Sequence, residues 1–138
     1  MLEDRAEEEI TDITIEPTHQ CFDDAIQNLI FLMKRQGPEA ARRGEMVIVH
    51  AIIAPDGEPM AHAWIEQGAR VFFTGLIGGE RVFCECEREE YYRESRISQR
   101  ITYTLWEAYA VEKITGHYGP WDPQIKRLCK EYDHGLDC

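Results

Sequence analysis

Three apolar runs between residues 46 and 75, separated by two turn sequences, constrain the fold of this chain more than any other feature. The run MVIVHAII is almost continuously apolar, which is typical of a central strand. APDGEP and EQGAR carry the residues that favour tight turns between antiparallel strands. MAHAWIE and RVFFTG follow these turns, and LIGGERVFCECE offers a Gly-Gly turn and a fourth strand. The sequence therefore predicts a mainly antiparallel sheet.

The segment before the sheet has the period of an amphipathic helix. Its apolar stripe recurs every four residues, at Cys21, Ala25, Leu29 and Met33. Thr18 or His19 is expected at the helix start, and Gly37 followed by Pro38 is expected to end it. This prediction places Cys21 in or near the first turn.

Helical signals return towards the C-terminus. Thr104 and Glu107 have the spacing of a capping box, and Gly116 is placed to end the helix. The apolar face predicted for this helix contains Leu105, Ala108 and Tyr109. Residues 124–138 favour a short terminal helix with a frayed tail, and residues 88–98 fit either a short helix or a loop.

The predicted domain organisation is simple. Residues 1–9 are highly charged and have little to bury, so we expect a flexible acidic leader. Residues 10–15 alternate like a short strand. We expect one α+β domain over residues 10–138, with the N-terminal helix packed on the sheet and further helices at the C-terminus.

Charge and composition restrict the class of protein. The net charge is −11, from 15 basic and 26 acidic residues, which argues against binding to duplex nucleic acid. No apolar stretch is long enough to predict a membrane span, and the acidic N-terminus does not resemble a secretory signal, so the cytoplasm is the expected location. The odd number of cysteines favours free thiols: Cys21, Cys84, Cys86, Cys129 and Cys138.

Cys21 and His62 are the candidate reactive pair. Unpaired N–H groups at a helix start favour a thiolate and can stabilise an oxyanion. A histidine from a neighbouring strand can take the thiol proton and return it to a leaving group. Gln20 would add a side-chain amide donor beside Cys21.

HQCFDDAIQNL followed by MAHAWIEQGARVFF resembles the transglutaminase-like and papain-like cysteine-enzyme superfamily, over roughly residues 15–76. The resemblance implies a papain-like or transglutaminase-like core, with Cys21 as nucleophile and His62 as base. It also implies an Asp or Asn on the next strand that orients the histidine. Thr74 or a neighbour stands there instead, and threonine cannot stabilise an imidazolium as a carboxylate does.

Several residues allow two interpretations. Trp64 shares a strand face with His62, and it fits either the wall of a substrate groove or, preferably, the core. Cys84 and Cys86, with His50 or His117, could supply zinc ligands, but no second close-spaced pair completes a site. We therefore predict no metal and no cofactor.

The HYGPWDP segment also allows two interpretations. Its rings either close the core or bind a partner, and the sequence favours the first.

The sequence leaves two functional hypotheses. The first is a cysteine-dependent hydrolase or acyl transferase that acts on a peptide or amide bond through Cys21 and His62. The alternative is a non-catalytic acidic binding or adaptor protein on the same scaffold, which the missing third residue and the net charge support.

Overall fold

The computed structural model describes residues 20 to 133 and has the predicted α+β architecture. Five antiparallel strands form one sheet in the spatial order β4-β3-β2-β1-β5. The strands are β1 Met46–Ile53, β2 Met60–Gln67, β3 Arg70–Ile77, β4 Glu80–Glu87 and β5 Gln99–Tyr103. The helices are α1 Gln20–Gln36, α2 Glu39–Arg42, α3 Arg88–Ser95, α4 Leu105–Thr115 and α5 Pro123–Asp133.

The long helix and the central strand form where the sequence predicts them. α1 ends at Gln36, where Gly37 takes a positive φ of 93° that suits glycine. β1 pairs with β2 on one side and with β5 on the other, so MVIVHAII is the central strand that its apolar composition predicts. Thr18, His19 and the strand predicted over residues 10–15 lie outside the described residues.

Alternation along the strands divides the core into two layers. The near face of the sheet is the one covered by α1, and the far face is the one covered by α3. The near layer includes Cys21, Phe22, Ala25, Leu29, Ile48, Ala61, Ala63, Ile65 and Phe72. The far layer includes Val49, Ala51, Ile53, Met60, Trp64, Val71, Phe73, Cys84 and Tyr91.

β2 and β3 separate towards one end of the sheet. They pair only at Ile65–Phe72, Glu66–Val71 and Gln67–Arg70, whereas β3 and β4 pair along their whole length. The Gln36 and Gln67 side-chain amides bond to each other at the closed end, so α1 ends there. Because α1 packs on both β2 and β3, its first turn lies at the open end, where the two strands diverge.

In the C-terminal half, the structure settles one alternative that the sequence left open and adds one strand. Residues 88–95 form α3, which resolves the choice between helix and loop. β5 was not predicted, because QRITY is short and half exposed. The capping box at Thr104 and Glu107 is confirmed, and Gly116 ends α4 with a φ of 83°.

The buried Glu66 carboxylate joins three elements on the far face. It accepts hydrogen bonds from Trp64 Nε1 at 2.9 Å and from the Arg100 guanidinium of β5 at 2.9 Å. The Tyr92 hydroxyl of α3 donates to the same carboxylate. Burial of the hydroxyl, together with Glu66, raises the pKa of Tyr92 to about 12. Glu66 therefore fixes β2, β5 and α3 relative to one another.

Replacing Glu66 by alanine should destabilise the fold strongly. The change removes three hydrogen bonds and leaves the buried Trp64 N–H unpaired, so we expect a loss of at least about 2 kcal/mol in the free energy of unfolding. Urea denaturation measures this loss.

Glu45→Ala is the matched control, because Glu45 also pairs with an arginine, Arg43, at 2.9 Å. Glu66 is 4% exposed whereas Glu45 is 57% exposed, and exposed pairs contribute little to stability. Equal losses in the two variants would contradict the role assigned to Glu66.

Candidate functional site

Cys21 occupies the predicted position, as the second residue of α1. Its side chain is buried in the near layer, within the apolar stripe that includes Ala25 and Leu29. Gln20 is the first residue of the helix, and its role as an amide donor stays a prediction. The thiol therefore lies in the first turn of a helix, but inside the core.

His62 lies on the other face of the sheet. It pairs with Ala51 of β1, and its ring centroid is 5.8 Å from that of Trp64. The side chain is buried, and neither ring nitrogen has a hydrogen-bond partner in the part of the chain described. Side chains alternate between the two faces along β2. Because Ala61 and Ala63 face α1, His62 between them points to the far face. The structure does not bring the Cys21 thiol and the His62 imidazole into hydrogen-bond contact.

Tyr91 of α3 closes the opening between β2 and β3 from the far face. Its ring lies between Trp64, at 5.0 Å between centroids, and Phe73, at 4.9 Å. These two residues are the first beyond the point where the strands cease to pair. Burial raises the pKa of Tyr91 well above its usual value, and nearby thiols, Cys21 among them, add to the rise. The Cys21 thiol is therefore one of the groups near the Tyr91 hydroxyl.

Tyr91 was not selected from the sequence. The available signal was the Tyr-Tyr pair in a segment that fitted either a helix or a loop. Only the course of α3 over the far face shows which of the two tyrosines enters the core: Tyr91 is buried, whereas Tyr92 is partly exposed.

Thr74 and Trp64 do not occupy the positions that a His62-centred site requires. The Thr74 side chain faces α1, where its hydroxyl accepts a hydrogen bond from Asn28 Nδ2 at 3.1 Å. It therefore lies on the opposite side of the sheet from the imidazole that it was predicted to orient. Trp64 is completely buried and bonded to Glu66, so it belongs to the core rather than to the wall of an open groove.

His50 is the histidine on the same face as α1. Its ring is surrounded by Phe22 at 4.7 Å, Tyr103 at 4.9 Å and Trp121 at 5.2 Å between centroids. A Cβ at Gly119 would lie only 2.5 Å from the His50 ring, so this close approach requires glycine. The GHYGPW segment thus brings Trp121 against the core, as the favoured interpretation of the sequence had it.

Both buried histidines are neutral. Burial lowers the pKa of His50 and of His62 from 6.5 to about 3. A neutral imidazole can accept a proton, but one with so low a pKa is a weak base at neutral pH. The surroundings of His62 therefore favour a packing role.

Cys84 and Cys86 lie on the far face of β4. Burial raises the pKa of both thiols, that of Cys86 to about 11. His50 faces the near side of the sheet, so the two thiols and this histidine do not converge. Among residues 20 to 133, no group of three or more histidine, cysteine, aspartate or glutamate side chains is arranged to hold a metal ion.

The outward side of α4 exposes large apolar residues. Trp106 is 57% exposed, Tyr109 is 56% exposed and Ile114 is 85% exposed. The Lys113 ammonium lies 5.1 Å from the centroid of the Tyr109 ring. We call these four residues the α4 outer surface. Tyr109, which the sequence assigned to the inward side with Ala108, points away from the core.

Comparison with known proteins assigns no family. No protein-family model matches the chain, and neither a curated protein nor a solved structure matches it. No helix within the described residues combines the length and the apolar character that crossing a membrane requires.

The two buried histidines should make stability depend on pH. Folding lowers each pKa from 6.5 to about 3, so the unfolded chain binds more protons between these values. The stability is fully present above pH 6.5 and is lost as the pH falls towards 3. Each histidine adds a slope of up to about 1.4 kcal/mol per pH unit.

The variant His62→Leu isolates one of these contributions. Between pH 6 and pH 4, urea denaturation should show a slope smaller than that of the wild type by about 1.4 kcal/mol per pH unit. The carboxylates are the same in both proteins, so their contribution cancels in the difference. An unchanged slope would mean that His62 titrates normally in the folded protein.

Proposed function

We propose that the protein is a non-catalytic acidic binding protein that docks a basic protein segment on the α4 outer surface. The exposure of Trp106, Tyr109 and Ile114 on one helix carries the proposal, because large exposed aromatic and aliphatic groups are typical of interaction sites. The residues that the sequence assigns to a catalytic and substrate-binding site also support it. Cys21, His62 and Trp64 are all built into the core.

The charge of the chain favours a cationic partner. The net charge of −11 attracts basic proteins at long range, and Glu107 is exposed on α4 itself. The ring of Tyr109 already lies beside the ammonium of Lys113, and aromatic faces of this kind also accept arginine. A segment with arginine and aliphatic side chains fits both features.

A helical peptide with arginine on one side and leucine on the other is a suitable probe. Fluorescence anisotropy should show binding that weakens as salt rises from about 50 to about 300 mM, because salt screens the attraction. Trp106→Ala and Tyr109→Ala should each raise the Kd at least about tenfold, as expected for central aromatic contacts.

Phe31→Ala and Cys21→Ala are the controls, because Phe31 is an exposed aromatic residue on another surface and Cys21 is the buried residue predicted to be the nucleophile. Both should leave the Kd unchanged. The proposal fails if the peptide does not bind, or if binding ignores both Trp106→Ala and salt.

A second candidate function is cysteine-dependent hydrolysis or acyl transfer on a papain-like or transglutaminase-like core. The observation that favours it is the opening between β2 and β3, at the end of the sheet where α1 begins with Gln20 and Cys21. The two ring nitrogens of His62 are buried without hydrogen-bond partners among the described residues. This function requires His62 to reach the thiol through the opening, take its proton and return it to the leaving group.

Alkylation by iodoacetamide decides between the two functions. Cys129 is the internal control, because it is also buried in the near layer. For the binding function we expect Cys21 and Cys129 to react at similarly slow rates, since buried thiols are inert. Faster reaction of Cys21, with an apparent pKa well below 8 and a decrease in His62→Leu, would favour the enzyme instead.

A further inference from the structure

The outer edge of β4 has no partner strand among the described residues. β4 pairs with β3 through all eight of its residues, and no strand within residues 20 to 133 pairs with its other edge. Most of its side chains are at least partly exposed. An unpaired strand edge presents free N–H and C=O groups, which can accept a further strand.

An exposed aromatic row lies beside this edge on the near face. Phe83 of β4 is 38% exposed, and Phe31 of α1 is 44% exposed. The Phe83 ring is 5.2 Å from that of Phe31 and stacks at 5.9 Å on that of Phe72. Strand addition gains affinity from backbone hydrogen bonds and specificity from side-chain contacts, and this edge offers both.

The sequence of β4 is complementary to itself when two copies run antiparallel. If Phe83 lies opposite Phe83 of the second copy, Arg81 lies opposite Glu85, two residues to either side. The Arg81–Glu85 pair therefore occurs twice, once on each side of the two-fold axis. All of these side chains lie on the near face, because they alternate with Val82 and Cys84. Cross-strand pairs of opposite charge and of aromatic rings stabilise antiparallel strands.

A shift of one residue removes this complementarity. It would place Glu80 opposite Glu87 and Val82 opposite Glu85. It would also turn the near face of one copy to the far side of the other. The charges and the alternation of the two faces therefore exclude this shifted register.

We propose that two copies of this chain associate through their β4 strands, so that the antiparallel sheet continues across a two-fold axis centred on Phe83. The occupant is a second copy because a two-fold contact requires a surface that matches itself, and β4 meets this condition in sequence and in charge. The proposal is independent of the function assigned to the α4 outer surface.

Charge reversal tests this interface. Analytical ultracentrifugation from about 1 to about 300 µM should show the wild type converting to twice the mass of the chain, over a range that detects micromolar affinity. Arg81→Glu and Glu85→Arg should each remain monomeric, because each places like charges opposite each other twice. An equimolar mixture of the two variants should dimerise, since each pair then joins opposite charges.

The mixture separates the proposed contact from contacts within one copy. Arg81 already pairs with Asp24, and Glu85 pairs with Arg70, and mixing restores neither of these ion pairs in the variants. Recovery of the dimer can therefore come only from the contact between copies. Circular dichroism establishes that each variant is folded before mixing.

Two further measurements keep the test decisive. Trp106→Glu on α4 should dimerise like the wild type, and β4 amides should exchange hydrogen more slowly at high protein concentration. A wild type that stays monomeric, a dimer that survives both charge reversals, a mixture that stays monomeric, or a dimer lost in Trp106→Glu would each overturn the proposal.

Discussion

Burial of β2 on both faces is the constraint on which the rest of the structure depends. The small residues Ala61 and Ala63 face α1, and His62 and Trp64 fill the space on the α3 side. A strand buried in this way must place successive side chains in different layers. Glu66 then holds α3 in place through Tyr92, and β5 through Arg100. The positions of the candidate reactive residues follow from this alternation.

The opening between β2 and β3 is where the two layers meet. Tyr91 fills it from the far side, between Trp64 and Phe73, and α1 begins with Gln20 and Cys21 on the near side. This arrangement favours a structural role for the opening, because buried apolar contacts exclude solvent from the Cys21 thiol. The exposed groups of the molecule lie elsewhere, on α4 and along β4, so interaction with other chains explains them better than chemistry at the opening.

The sequence predicts those elements that local signals determine. The apolar run of β1, the end of α1 before Gly37 and the capping box of α4 each depend on neighbouring residues, and the structure has all three. β5 could not be predicted, since a short half-exposed strand is stabilised by its neighbour β1 rather than by its own composition.

The layout of the candidate site could not be predicted for a related reason. The spacing of His62 and Trp64 shows that they share a face, but not which face α1 covers. In the same way, the helical period of α4 groups Tyr109 with Ala108, but it does not show how far around the helix the contact with the core extends. Both questions depend on contacts between elements that are distant in sequence.

The most direct test of this account is the set of nuclear Overhauser contacts made by the His62 ring protons. The structure predicts contacts to the methyl group of Ala51, its neighbour on β1, and to the ring of Trp64. Contacts to the Ala25 methyl group on α1, in place of those two, would put the imidazole on the near face and contradict the account.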